Sequence, residues 1–135
     1  MANNRFLWIL VAVPAFGYGA GVMAACTQAD GGGTWRVYSN SVDDSGYTWV
    51  RCSLVVASTG KINGTSSLCR DPGGSSARIT SGAFKVANSC QVTASFVLNG
   101  RTFTIVESWL TRDKLALAGV GRFPGGLFQF TAIRQ

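Results

Sequence analysis

The chain has 135 residues, a formal net charge of +6, no His and four Cys. That length holds one domain. Without His, no Ser-His-Asp triad, Cys-His pair or imidazole-ligated zinc can form within the chain. Hydrophobic residues make up 47% and charged residues 13%, which excludes a disordered charged tail.

The N-terminal segment reads as an address. Met1 to Arg5 carries one positive charge, Phe6 to Ala24 carries none, and Ala24 and Ala25 precede Cys26. A basic start, an apolar middle and a small-residue end form a secretory signal, so residues 1–25 are expected to be a signal peptide. Cleavage after Ala24 puts Val22 and Ala24 at the two positions that must be small or modest in size. An uncleaved anchor is one rival, since the apolar run just reaches bilayer length. Pro14 and the glycines at 17, 19 and 21 make that a poor helix. A lipoprotein signal, with a lipid anchor on Cys26, is the other. Loss of Arg5 lowers the net charge from +6 to +5. No later stretch is long and apolar enough to span a membrane. The expected destination is secreted or periplasmic, or the outer membrane if Cys26 is lipidated.

Residues 26–33 end in Asp30-Gly31-Gly32-Gly33 and read as a flexible lead-in; residues 34–135 read as one domain. From Thr34 onward, short β-prone runs alternate with turn residues. The runs are Thr34 to Ser39, Tyr47 to Ala57, Lys61 to Leu68, Ala77 to Val86, Cys90 to Leu98, Arg101 to Leu110, Lys114 to Val120 and Leu127 to Arg134. Asn99-Gly100 is the sharpest connector, because both residues tolerate the positive φ of a two-residue hairpin. Apolar residues recur at every second position. Val50, Cys52, Leu54 and Val56 share a face; so do Val92, Ala94, Phe96 and Leu98, and Phe128, Phe130 and Ala132. One wet and one dry face is the signature of an antiparallel sheet over a single core. Leu54 to Ile62 also echoes Phe84 to Val92, as two matching hairpins would.

Eight sequential strands leave unpaired edges unless the sheet closes. The expected fold is all-β, an eight-stranded antiparallel up-and-down β-barrel, with a two-sheet sandwich as the alternative. The four cysteines of an exported chain suggest two disulfides, with three connectivities open. In a barrel, Cys52 and Cys69 fall toward one end and Cys26 and Cys90 toward the other. That favours Cys52–Cys69 and Cys26–Cys90, with Cys69–Cys90 as an alternative. Pairing Val56 with Ile62 places Cys52 opposite Ser66, so a bulge or loop must bring Cys69 into register.

Gly33-Thr34-Trp35 opens the first strand and Arg134 closes the last. This resembles the calycin signature of lipocalins, avidins and fatty-acid-binding proteins. The resemblance implies that Trp35 plugs the barrel base and that Arg134 packs over it. In size the chain is similar to the small periplasmic inhibitors of bacterial metalloproteases, which are also calycin-like barrels. That likeness implies a blocking role for an N-terminal trunk, here Cys26 to Gly33.

A cavity in such a barrel would be lined by Phe96, Phe103, Phe128 and Phe130. Glu107, the only Glu, shares a strand face with Phe103, Ile105 and Trp109 and is a candidate polar group in that cavity. The alternative turns Val106 and Leu110 inward and leaves Glu107 in solvent. Small residues at Ala94, Gly64 and Gly119 would leave space or admit facing aromatics. Arginines are spread along the chain without a cluster, so no nucleic-acid partner is expected. Asn63-Gly64-Thr65 is a glycosylation sequon, meaningful only in a eukaryotic secretory pathway. No Walker loop, dinucleotide fingerprint, carboxylate pair or CxxC occurs, and no cofactor or metal is expected. The composition points away from an enzyme. The first expected function is an exported binding protein holding a small apolar ligand. The alternative is an envelope interaction protein or protease inhibitor that acts on a protein target through its N-terminal segment.

Overall fold

The computed structural model describes residues 25–135; the expected signal peptide, Ala25 apart, lies outside the described residues. Eight strands follow in chain order: β1 (Gly33–Asp43), β2 (Gly46–Val56), β3 (Leu68–Arg70), β4 (Ser76–Val86), β5 (Val92–Leu98), β6 (Arg101–Leu110), β7 (Ala116–Phe123) and β8 (Gly126–Arg134). Each pairs antiparallel with the next, and β8 returns to pair with β1. The result is a closed up-and-down barrel rather than a sandwich. Closure gives every strand a neighbour on both sides, although the short β3 covers only Arg51 to Ser53 of β2.

Alternation decides what faces inward. Cys52, Leu54 and Val56 of β2, Val92 and Ala94 of β5, and Phe128, Phe130 and Ala132 of β8 are all buried. The Asn99-Gly100 turn takes φ of 51° and 72°, as the dipeptide requires. The echoed segments form matching turns. Ala57 N–H donates to Lys61 O and Gly60 N–H to Ala57 O; Ala87 N–H donates to Gln91 O and Cys90 N–H to Ala87 O. Cys90 takes the left-handed φ of 71° that Gly60 takes at 91°.

Two expectations about the strands are corrected. The third strand is not Lys61 to Leu68 but only Leu68–Arg70. Val56 does bridge Ile62, and Lys61 bridges Ala83, but the chain then turns at Asn63-Gly64-Thr65. The Asn63 side chain accepts the Ser66 N–H at 3.2 Å, a local bond that competes with a ladder. This turn absorbs the register mismatch, and Cys69 arrives directly opposite Cys52. The first strand, in turn, runs to Asp43 because its polar end pairs on both sides, Ser41 with Thr48 and with Phe128. Flanking ladders override the weak strand preference of Ser and Asn.

Residues 26–33 are not a loose lead-in. Gln28–Gly31 forms a 3-10 turn, and Cys26 and Gly31 are buried. Cys26 bonds to Cys90 and Cys52 to Cys69, with Cα–Cα separations of 5.0 and 4.0 Å. The Asp30 carboxylate accepts the Thr27 N–H at 2.6 Å and the Lys114 ammonium at 2.8 Å. The segment therefore covers one end of the barrel, the base. The β1–β2, β3–β4, β5–β6 and β7–β8 hairpin tips form the other end, the mouth.

Candidate functional site

The barrel interior is the site. A cavity of about 440 Å³ runs from Trp35 and Leu117 near the base to Asp43, Asn99 and Arg101 at the mouth. That size falls within the range of about 300–1,000 Å³ typical of small-ligand pockets.

Trp35 seals the base. It is 1% exposed and is the Cα partner of Arg134 where β1 and β8 meet. The Arg134 guanidinium carbon lies 4.9 Å from the centre of the indole ring, within cation–π range. The indole N–H donates to the Gly31 carbonyl at 3.0 Å, and Arg134 donates to the Asp30 carbonyl. The 3-10 turn, the indole and the guanidinium thus lock one another. The hydrogen bond from Lys114, followed by that from the Thr27 backbone, lowers the Asp30 pKa from 3.8 to about 2.

One wall is aromatic. Phe96 and Phe103 stack with centroids 5.3 Å apart, and Phe103 stacks on Phe123 at 4.9 Å. Phe128 meets Phe103 edge-on at 5.7 Å and is tilted against Phe130 at 6.1 Å. Glycine makes room for these rings. Gly121 pairs with Phe128 and Gly126 with Phe123 across the β7–β8 ladder. A Cβ on Gly121 would come within 2.2 Å of the Phe128 ring, and one on Gly126 within 2.3 Å of the Phe123 ring. The rings therefore lie flat over bare backbone, and the centre of the barrel stays open. Gly119, an interior small residue in the sequence reading, abuts Ser108 instead. Gly64 sits on the turn beside β4 and lines a surface groove, not the interior.

The facing wall is formed by β1 and β2. Val37, Cys52 and Leu54 lie deep, Ser39 stands level with Val50, and the hydroxyls of Ser41 and Thr48 lie nearer the mouth. Ser39 already donates to the Gln129 carbonyl at 3.0 Å. At the rim, Arg101 approaches Asp43 at 4.0 Å between two hairpin tips. Hydrogen bonds from the Ser45 side chain and backbone hold the Asp43 pKa below its ordinary value.

Phe96, Phe103, Phe128 and Phe130 all line this cavity. Glu107 does not, and the cavity assignment for it is corrected. A β-bulge between Ile105 and Glu107 inserts one extra residue on β6. Val106 and Glu107 then both face outward, and the inward phase resumes at buried Ser108 and Leu110. Uniform alternation cannot anticipate that phase change. Sequence reasoning also missed Phe123, which lies beyond the expected end of the seventh strand. Continuing the alternation of Leu117, Gly119 and Gly121 by one step would have found it. The mouth residues Asp43, Asn99 and Arg101 carried no signal beyond turn chemistry.

Neither a protein-family model nor a curated protein matches the sequence. Among the described residues, no helix is long and apolar enough to cross a membrane, and no group of three or more His, Cys, Asp or Glu is placed to hold a metal. The two disulfides are compatible with an oxidising compartment.

Proposed function

We propose that this chain is an exported binding protein that holds one small, mainly apolar molecule inside its barrel. The observation that carries the proposal is the cavity of about 440 Å³, walled by phenylalanines and stoppered by Trp35. An apolar chamber with hydroxyls only near its mouth favours a ligand whose apolar body enters first and whose polar end stays at the rim. Kinship with calycins is part of the same reading. Gly33-Thr34-Trp35 and Arg134 support it, because the stacked base pair is what that resemblance implies. Export, to the periplasm or the medium, is supported by the N-terminal sequence layout and by two disulfides.

The alternative, an interaction protein or inhibitor acting through Cys26 to Gly33, has less support. That segment is bonded to Cys90 and folded over the base, so its contacts are spent on its own barrel. The reading is of a binder, not a catalyst: the charged pair at the mouth, Asp43 and Arg101, faces itself.

The test is native mass spectrometry of the delipidated protein against a panel of lipids and pigments. A one-to-one adduct is expected, and it should be lost in Ser41→Trp, which puts an indole in the mouth. No adduct with any panel member, or adducts that survive Ser41→Trp unchanged, would refute the proposal.

A further inference from the structure

The register of the first four strands gathers arginines that lie apart in the sequence. On the outer face, Arg51 of β2 and Arg70 of β3 are direct cross-strand partners. Arg36 of β1 pairs with Ser53, which puts it diagonal to Arg51. Arg78 of β4 pairs with Leu68, which puts it diagonal to Arg70. Direct partners stand about 5 Å apart at Cβ and diagonal ones about 7 Å, so the four form one zigzag ladder across the strands. Arg51, Arg70 and Arg78 are exposed, and Arg36 is half-buried.

No carboxylate answers this ladder. Among the described residues the two ion pairs are Asp43–Arg101 and Asp30–Lys114, and neither reaches it. Asp71 follows Arg70, but its carboxylate accepts the Ser75 N–H at 2.9 Å within the β3–β4 turn. Asp44 lies away at the tip of the β1–β2 hairpin. Arg78 donates to the Thr65 carbonyl, and the Arg36 Nε is buried without a partner. Like charges directly opposite on a sheet are destabilising. Here the Cys52–Cys69 bond, one residue away on both strands, holds Arg51 against Arg70. A covalent staple beside a repulsive pair keeps a cationic site assembled before its anion arrives.

The shape of the ladder selects among anions. It spans three of the eight strand intervals around a closed barrel, so it curves. A planar bilayer or a rigid protein face meets only part of such an arc, whereas a flexible chain follows it. Single-stranded nucleic acid would want a ring beside each phosphate contact. Tyr38 and Trp49 border the ladder on β1 and β2, but Leu68 and Ser76 are the neighbours of Arg70 and Arg78. An acidic peptide would gain by pairing its amides, but β1 to β3 are paired on both sides at these positions. A sugar acid holds its carboxylate on a rigid ring and loses less freedom on pairing than a Glu side chain does. The guanidinium fork takes such a carboxylate with two hydrogen bonds.

We propose that the arginine ladder from Arg36 to Arg78 binds a linear polysaccharide that carries one carboxylate on each sugar. The site is separate from the barrel interior and does not depend on what the interior holds.

The experiment titrates the disulfide-bonded protein with decagalacturonate, read by calorimetry and by amide chemical shifts. Polyglutamate and oligothymidylate of matched charge, and phosphatidylglycerol vesicles, are titrated in parallel. Saturable binding of the galacturonate is expected, tighter than that of the other three, weakened by added salt and with shifts confined to β1–β4. Arg51→Gln and Arg70→Gln should each weaken it about threefold to fivefold, and the double variant about tenfold to twentyfold. Arg122→Gln removes the same charge from β7 and should leave binding unchanged. The ligand-free Arg51→Gln protein should melt no lower than the parent, because a repulsion is removed. No saturable binding would overturn the proposal, as would tighter binding of any of the other three probes. So would an equal loss in Arg122→Gln, or a lowered Tm in Arg51→Gln, which would make the arginine a structural group.

Discussion

Replacing Trp35 by Phe tests the base of the barrel most directly. The substitution keeps an aromatic ring but removes the indole N–H, leaving the Gly31 carbonyl without its 3.0 Å donor in a buried place. An unpaired buried acceptor costs about 1–3 kcal/mol. The smaller ring gives Arg134 a weaker cation–π partner, a loss of about 0.5–1 kcal/mol at a 4.9 Å separation. It also leaves a small void in a site only 1% exposed, for about 1 kcal/mol more. The sum is about 2.5–5 kcal/mol, a large share of a small domain's stability. Urea unfolding with disulfides intact, followed by far-UV circular dichroism, should show it, and thermal unfolding should show a Tm drop of roughly 10–20 °C. Hydrogen exchange should rise in Thr27 to Gly32, because that turn loses its tie to the barrel while the Cys26–Cys90 bond keeps it attached. Arg134→Met in a double-mutant cycle should give a coupling of about 0.5–2 kcal/mol. Trp109→Phe, on the exposed face, should stay within about 0.5 kcal/mol of the parent. If Trp35→Phe does too, the interlocked base contributes nothing and the reasoning fails.

Further predictions concern the bonds, the charges and the chamber. Removing Cys52–Cys69, which closes a separation of 17 residues, should cost about 3 kcal/mol, and removing Cys26–Cys90, at 64 residues, about 4 kcal/mol. Equal denaturation midpoints for the two double-Ala variants and the parent would contradict the loop-closure argument. Asp30 has its pKa lowered to about 2 from 3.8, so its stabilisation is complete above pH 4 and is lost as pH falls toward 2. Asp30→Asn should flatten the acid limb of a stability-versus-pH curve in that window, and an unchanged limb would assign it to other carboxylates. Gly121→Val should cost about 1–3 kcal/mol and weaken ligand binding, because its Cβ meets the Phe128 ring at 2.2 Å. A variant as stable as the parent that binds as tightly would show that the ring has room to move.

By itself the amino-acid order determined the class of fold, the approximate strands and the interior faces. Those depend on local rules: period-two alternation and turn residues with special φ. Val92, Ala94, Phe128 and Ala132 obey them, and so do Asn99 and Gly100. The meeting of Trp35 with Arg134 was legible for a related reason, because hairpin-only connection returns the eighth strand to the first in antiparallel register.

Only the tertiary structure decided where alternation breaks and how much space remains. The bulge that turns Glu107 outward is one residue of slippage between β6 and β7, a property of two strands together. The short β3 reflects a turn at Asn63 whose gain is the alignment of Cys69 with Cys52, seventeen positions away. The chamber exists because Gly121 and Gly126 stand opposite Phe128 and Phe123, which is a fact of register between neighbouring strands. Local pattern specifies which way a side chain points, whereas volume depends on what every other strand places across from it.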